Sequence, residues 1–521
     1  MATLIWAGYA LPDATAAPRS DFAVCVEGNR IVATGSFTDL KALYPTASLV
    51  GGANLILLPG MVNSHDHGRG LGTVPLGVPD DLLELWLLGL RVQPPLDPYL
   101  AAAYDGLRLL RSGVGLTAHS HNPRDRSRLD RESEATLSGY RDAGIRVAYH
   151  PPIVNQNSLV YADEAAFIET LPTDLQPLAR SFLRQAIPSL DEYLGLCRDL
   201  FRRHHDTDAA TVQIQVSPVA AQWCSDDVIL GCVQFARDHG TRVQMHMLET
   251  RYQRAYALRT WGKSTVRHLE EIGALGPWLT LAHMVWVDLD DLASLAERGV
   301  GIAHNPSSNL RLRSGIAPVP EFLEAGLSLG VGLDGHTLDE DQDYLRELRL
   351  AWTLANRPGA PSPTVPASVI WSLGTTGGAA ITVGKTTKLG KLEAGYLADL
   401  VLIDQGSGLD DWTIGLSAQA SPDAALAYLP ELMLRGVCHQ NVRDVMVNGE
   451  WVMRDGHSTR LDEATLVSEL RQNLAMTAKS AGSVFNPAPA VVPDVRQYYL
   501  GWDRVSNEPS EPRKPTGDGK W

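Results

Sequence analysis

The sequence predicts an α/β chain built on a (β/α)8 TIM barrel, with a small β-sandwich domain assembled from both ends of the chain. Two observations carry this. From Leu57 onward, eight apolar runs alternate with amphipathic stretches: Leu57–His67, Leu116–Asn122, Ile145–Pro151, Val212–Val219, Arg242–Leu248, Leu279–Val287, Val300–Asn305 and Leu329–Asp334. Strands separated by helical segments such as Tyr99–Arg111 and Asp288–Arg298 make a parallel sheet, and eight such units suggest closure into a barrel. An open doubly wound sheet would carry the Gly-x-Gly-x-x-Gly phosphate turn after its first strand, and that pattern does not follow Leu57–His67. The second observation is a change of texture at both ends, where short strands and tight turns replace the alternation.

At the N-terminal end, Ala23–Val26 and Ile31–Gly35 flank Gly28-Asn29, a hairpin turn. After about residue 385 the same texture returns, in Ala398–Ile403 and in Val442–Val452 followed by the turn Arg454-Asp455-Gly456. Neither stretch is long enough to bury a good core alone, so the two are expected to pair. The expected organisation is a composite β-sandwich from residues 1–58 and 385–460, a barrel from 59–384, and a C-terminal part from 461–521. In that last part a helix is expected at Glu463–Lys479, and an extended or disordered Pro-rich tail from Asn486 on.

Composition bounds the function. The chain has 521 residues, 44% of them hydrophobic, and a formal net charge of −15 with a pI near 5.5. That charge disfavours nucleic acid and anionic membranes as partners and fits a protein that handles small molecules. Five scattered cysteines without Cys-x-x-Cys spacing suit a reducing cytoplasm better than a disulfide framework. No signal peptide or apolar membrane span is visible, so a cytoplasmic location is expected.

In a barrel of this kind, chemistry collects at the C-terminal ends of the strands. There the sequence places His65-Asp66-His67, then His246 with Gln244 on the same strand face and Glu249 just beyond. His283, His304-Asn305 and Asp334 end the later runs. Any one of these alone reads more simply as a hydrogen-bonded rim residue or a helix cap. Their coincidence on one rim points to a metal site. Three imidazoles and a carboxylate would hold one divalent ion and leave a position open for water, which is the catalytic rather than the structural pattern. Such an ion lowers the pKa of its water from 15.7 to about 7, and the hydroxide formed attacks an electrophilic carbon.

The residues quoted now carry a family resemblance. Pro59-Gly60-Met61-Val62-Asn63-Ser64-His65-Asp66-His67, His246-Met247-Leu248-Glu249, Ala282-His283-Met284-Val285-Trp286 and the run His304–Val319 resemble signatures of the amidohydrolase superfamily. The similar branch contains the cytosine, guanine and S-adenosylhomocysteine deaminases and the triazine chlorohydrolases. Gly390–Asp404 resembles that family's tail strand pair, so the likeness spans about residues 1–460. The resemblance implies that His65, His67, His246 and Asp334 ligate the metal. It implies that His283 hydrogen-bonds the hydroxide and polarises the attacked carbon, that Glu249 shuttles protons, and that Asp334 also acts as base. His304 and Asn305 would lie over the substrate. The run Thr211–Ala220 has no Lys to bridge two ions, so one ion is implied, zinc first, with iron or manganese also suited to this donor set. The branch is commonly oligomeric, which implies a homo-oligomer.

The implied reaction is hydrolytic deamination of an N-heterocycle. The alternatives are cleavage of an amide, urea or carbamate C–N bond with release of an amine and, from another class, an inactive scaffold. The chain departs from the family pattern at Asp334–Asp341, at Gly68-Arg69-Gly70, and at His119-Ser120-His121. His119, His121 and His336 read either as rim hydrogen-bonding groups or as the lining of an enlarged polar substrate pocket.

Overall fold

The computed structural model describes residues 2–91, 93–123, 125–183, 188–362, 364–406, 421–481 and 488–505. Two four-stranded parallel sheets form its centre. The first orders Met61–Asp66, Val114–Ser120, Arg146–His150 and Val212–Ile214, and the second Val243–Met247, Leu279–His283, Gly301–His304 and Ser328–Val331. All eight apolar runs expected from the sequence contribute a strand. Backbone bonds cross both seams between the sheets. Gln244 N and His246 N donate to the carbonyls of Val216 and Val219 at 3.1 and 2.8 Å. Across the other seam, Asp334 N donates to the His65 carbonyl at 3.0 Å. Gly332 is needed there: a Cβ would lie 2.4 Å from Asn305 Oδ1 and 2.7 Å from the His65 carbonyl oxygen.

The alternation in Val243–Met247 shows how the site is aimed. Val243, Met245 and Met247 join the main apolar core against the surrounding helices, whereas Gln244 and His246 face the opposite way. Leu57–His67 is not one strand. It divides at Gly60 into Ser48–Pro59, which belongs to a different sheet, and Met61–Asp66. Gly60 N donates to the Asp399 carbonyl at 2.9 Å, and a Cβ on Gly60 would stand 3.1 Å from Asp399 Cβ. The close approach at Pro-Gly lets the chain pass from one sheet to the next within one residue.

That other sheet joins the two ends of the chain. All eight of its strands lie in one hydrogen-bonded ladder. Ser48–Pro59 pairs in parallel with Thr3–Ala10 and antiparallel with Leu400–Asp404, so it connects the N-terminal strands to the C-terminal ones. The hairpin read around Gly28-Asn29 forms between Arg19–Glu27 and Arg30–Ser36.

A buried ion pair locks this sheet to the central strands. Arg146, at the start of its strand, sets Nε and Nη2 against the two carboxylate oxygens of Asp399, each at 2.7 Å, with both side chains almost fully buried. Removing one partner leaves the other charge buried and alone, which costs about 3–5 kcal/mol. Asp399→Ala is therefore expected to lower the unfolding free energy measured by chemical denaturation by that amount, while Lys391→Ala, whose partner Asp13 is partly exposed, should leave it nearly unchanged.

All five cysteines are unpaired, four of them buried. Among the described residues, no helix is long and apolar enough to cross a membrane. The C-terminal part corrects the compositional reading. A helix at Glu463–Ala481 is present as expected, but residues 488–505 form a second helix, Ala488–Val505, in place of an extended tail; the rest of the expected tail, 486–487 and 506–521, lies outside the described residues. Its Val491, Val495, Tyr499 and Trp502 are buried. Their spacing is helical. The prolines draw attention away from that pattern, yet Pro489 sits in the first turn and Pro493 is accommodated inside.

Candidate active site

The site forms where the eight parallel strands end. Donor atoms of His65, His246, His283 and Asp334 all lie within 4.8 Å of one another. His67 joins them, its Nε2 lying 3.1 Å from Asp334 Oδ1 and 3.2 Å from His246 Nε2. His65 Nε2 is 3.2 Å from the same Asp334 oxygen. Glu249 completes the group, its Oε2 lying 3.6 Å from His283 Nε2, which in turn is 3.9 Å from Asp334 Oδ2.

The orientation of each ring is set from behind. Nδ1 of His67 faces the Ser120 carbonyl at 2.8 Å, and Nδ1 of His246 faces the Val219 carbonyl at 2.9 Å. Nδ1 of His65 faces Gln244 Oε1 at 2.9 Å, and Nδ1 of His283 faces Asn309 Oδ1 at 2.9 Å. Gln244 cannot flip without loss, because its Nε2 donates to the Ser64 carbonyl at 3.0 Å. The acceptors behind His65, His67 and His246 therefore require a proton on each Nδ1 and leave Nε2 as a bare lone pair. Burial, with Arg69 nearby, lowers the His67 pKa to about 4, and burial with the neighbouring imidazoles holds His246 well below its ordinary value. Burial opposes ionisation of Asp334, but the neighbouring imidazoles of His65, His67 and His283 outweigh it and hold its carboxyl well below the carboxylate range. Lone pairs and a carboxylate thus face one another in a buried space without a proton between them. A cation relieves that arrangement, and this donor chemistry fits a divalent metal.

Burial also pushes Glu249 well above the carboxylate range, reinforced by Asp334 and Glu84. The strand ends that present these groups are locally unusual. Leu248, His283, Met284 and Asp334 all have positive φ, at 50°, 77°, 52° and 57°. Such left-handed residues cost about 1–3 kcal/mol each and concentrate at functional sites.

The other expected site residues lie around this centre. His304 ends its strand almost fully enclosed, and neither ring nitrogen has a hydrogen-bond partner among the described residues. Asn305 Nδ2 is 3.3 Å from His283 Nδ1. His119 and His121 are 3.2 Å apart and, with Tyr140 on one side and Glu132 on the other, form a hydrogen-bonded chain. They face a cavity of about 160 Å³ that His67 also lines. His336 does not share a strand face with Asp334, because the strand ends at Val331. It lies instead in the following turn, 3.2 Å from Asp80 and with its ring 4.8 Å from that of Trp86.

Several residues of the site were not read from the sequence as functional. Gln244 was visible as sharing a face with His246, and that register was the signal for its role behind His65. Ser308 Oγ donates to Asp334 Oδ2 at 2.5 Å, and Asn309 holds His283; both stand in the run that carried the resemblance. Glu84 had no signal. It lies in the helix Leu83–Leu90 that covers the site, its Oε1 accepts from Thr250 Oγ1 at 2.5 Å, and it lines a second cavity of about 270 Å³. Gln244→Ala is expected to weaken metal binding about 10–100-fold by freeing His65 to turn, as measured by metal titration.

The chain is similar to several known proteins. A 5'-deoxyadenosine deaminase of Methanopyrus kandleri is 27% identical over 79% of this chain and 84% of its own length. A 5-methylthioadenosine/S-adenosylhomocysteine deaminase of Desulforudis audaxviator is 27% identical over 90% of this chain and 97% of its own. Among solved structures, a zinc-bound adenosine deaminase from Xanthomonas campestris superposes with a TM-score of 0.74 at 26% identity, covering 92% of this chain and 98% of that one. Atrazine chlorohydrolase from Arthrobacter aurescens TC1, complexed with zinc, shares the fold with a TM-score of 0.74 at 22% identity, covering 91% of this chain and 100% of that one. Residues 23–47 match the Imidazolonepropionase-like composite domain of bacteria. Residues 56–452 match the Amidohydrolase family, and the chain belongs to that family.

Proposed function

We propose that this amidohydrolase hydrolytically deaminates an amino-substituted N-heterocycle of the purine nucleoside class, water replacing the amino group and ammonia leaving. The observation that carries the reading is the convergence of the bare Nε2 atoms of His65, His67 and His246 on the Asp334 carboxylate, with buried Glu249 beside them. The named deaminase relatives support the substrate class.

We further propose that the eight parallel strands constitute one closed (β/α)8 barrel over residues 59–384, with residues 1–58 and 385–460 as a composite β-domain. The ligand set proposed is His65, His67, His246 and Asp334, holding one zinc ion. A bound ion supplies an acidified water and an electrophilic pull on the reacting carbon. The chain's own groups do the rest. His283 Nε2 stands on the Glu249 side of Asp334, where it can hold the attacked carbon's substituent. Asp334 Oδ2, fixed by Ser308, accepts the proton from water. Glu249 Oε2 holds a proton in its buried setting and delivers it to the departing nitrogen. The helix Leu83–Leu90 excludes bulk water from these transfers.

Metal analysis of the purified chain, joined to a panel scored for ammonia and for amine release, tests the proposal. Stoichiometric zinc with ammonia from an aminopurine nucleoside is the expected result. Amine release from ureas or carbamates, with no ammonia from any heterocycle, would replace it by the C–N bond hydrolase reading.

A further inference from the structure

The cavity of about 270 Å³ adjoins the one of about 160 Å³ that His67 lines, since Leu90 and Asn122 line both. Val219 lines the larger cavity, and the Val219 carbonyl holds Nδ1 of His246. Glu84 lines it too, bonded to Thr250, the neighbour of Glu249. One of its lining residues belongs to neither the central strands nor the span that matches the family. It is Tyr499, on helix Ala488–Val505, beyond the matched span of 56–452.

That helix is held firmly. Val491, Val495, Tyr499 and Trp502 share an apolar cluster with Leu85 and Leu88 of the covering helix, with Leu159, Tyr161 and Ile168 of the excursion after the third parallel strand, and with Tyr252 and Tyr256. Arg496 pairs with Asp81 just before the covering helix, and the Arg259 guanidinium lies 4.0 Å over the Trp502 ring. Tyr499 itself is fixed at its tip, where its hydroxyl accepts the Tyr161 N–H at 3.2 Å. Its ring centroid stands 5.4 Å from that of Tyr161 and 4.8 Å from that of Tyr252. Tyr499, Tyr161, Trp223 and Leu159 give the cavity an apolar, largely aromatic side, while Glu84, Arg126 and Asn157 give it a polar one.

We infer that helix Ala488–Val505 completes the substrate cavity, and that Tyr499 is a specificity-determining residue for the part of the substrate that does not react. That part is an uncharged substituent attached to the heterocycle, with an apolar face for the aromatic side of the cavity and hydroxyls for its polar side. The inference rests on the deaminase reading above. A bare heterocycle reaches the reacting groups without touching this wall, whereas a substituted one extends along it. The wall thus discriminates by the substituent and not by the bond broken.

The test uses the full-length metal-loaded chain, with adenine and 5'-deoxyadenosine as probes, and follows hydrogen exchange beside steady-state kinetics. Bound 5'-deoxyadenosine is expected to slow exchange in segments 84–91 and 491–502, and adenine to leave 491–502 unchanged. Tyr499→Ala is expected to raise the ratio of KM for the nucleoside to KM for the base about tenfold, with a smaller change in kcat. Tyr499→Phe, which keeps the ring, should restore most of the preference. An unchanged ratio in Tyr499→Ala overturns the inference. So does absence of protection at 491–502 by the nucleoside, whether or not either compound is turned over. Protection at 491–502 without ammonia release from either compound would sink the deaminase reading and leave the cavity wall standing.

Discussion

His246→Ala is expected to lose bound metal and, with it, more than about 10³-fold in turnover. His246 presents Nε2 to the centre while its Nδ1 is committed to the Val219 carbonyl. No neighbouring side chain can take over the position. His67 stands 3.2 Å away, already turned by the Ser120 carbonyl. Deletion of the ring also removes a group buried among His65, His67 and His283. Elemental analysis after dialysis, together with initial rates in added zinc, measures both effects. A variant that keeps stoichiometric metal would remove His246 from the ligand set.

Glu249→Gln is expected to separate binding from chemistry. The amide has nearly the same shape but holds no transferable proton, so metal content should stay at the wild-type level. The rate should fall about 10²–10⁴-fold, the range of general acid–base contributions. Glu249 lies 3.6 Å from His283 Nε2 and is almost fully enclosed. Its elevated pKa follows from that burial and from the charge of Asp334, which keep a proton on the side chain that stands ready for the leaving nitrogen. A full rate in Glu249→Gln would end the proton-shuttle assignment. Persistence of metal in that variant, set beside its loss in His246→Ala, is the signature that distinguishes a proton carrier from a ligand.

Much of this site was legible before folding. The eight strands were marked by apolar runs, and a parallel strand's end is where side chains can converge without competing for backbone hydrogen bonds. His65, His246, His283 and Asp334 could each be placed by that rule, and their donor atoms do meet within 4.8 Å. His336 shows where the rule stops. Alternation along a strand says nothing about a residue five positions past its end, and His336 is turned toward Asp80 and Trp86 by the loop. The chain Tyr140–His119–His121–Glu132 is similar: the spacing put two imidazoles on one face, but only packing supplied a tyrosine and a glutamate to join them.

The sequence by itself determined the strand count, the rim on which chemistry collects, and the donor types available there. These follow from periodicities of two and 3.6 residues and from the coordination chemistry of imidazole and carboxylate, which are local properties. Only the tertiary structure decided which nitrogen of each imidazole faces the centre, because that depends on acceptors such as the Ser120 and Val219 carbonyls, 53 and 27 residues away in the chain. It alone brought Tyr499 to the cavity that Glu84 lines, across more than four hundred residues. Contacts at such separation are set by how helices bury their apolar faces against one another, and no pattern within either segment records its partner.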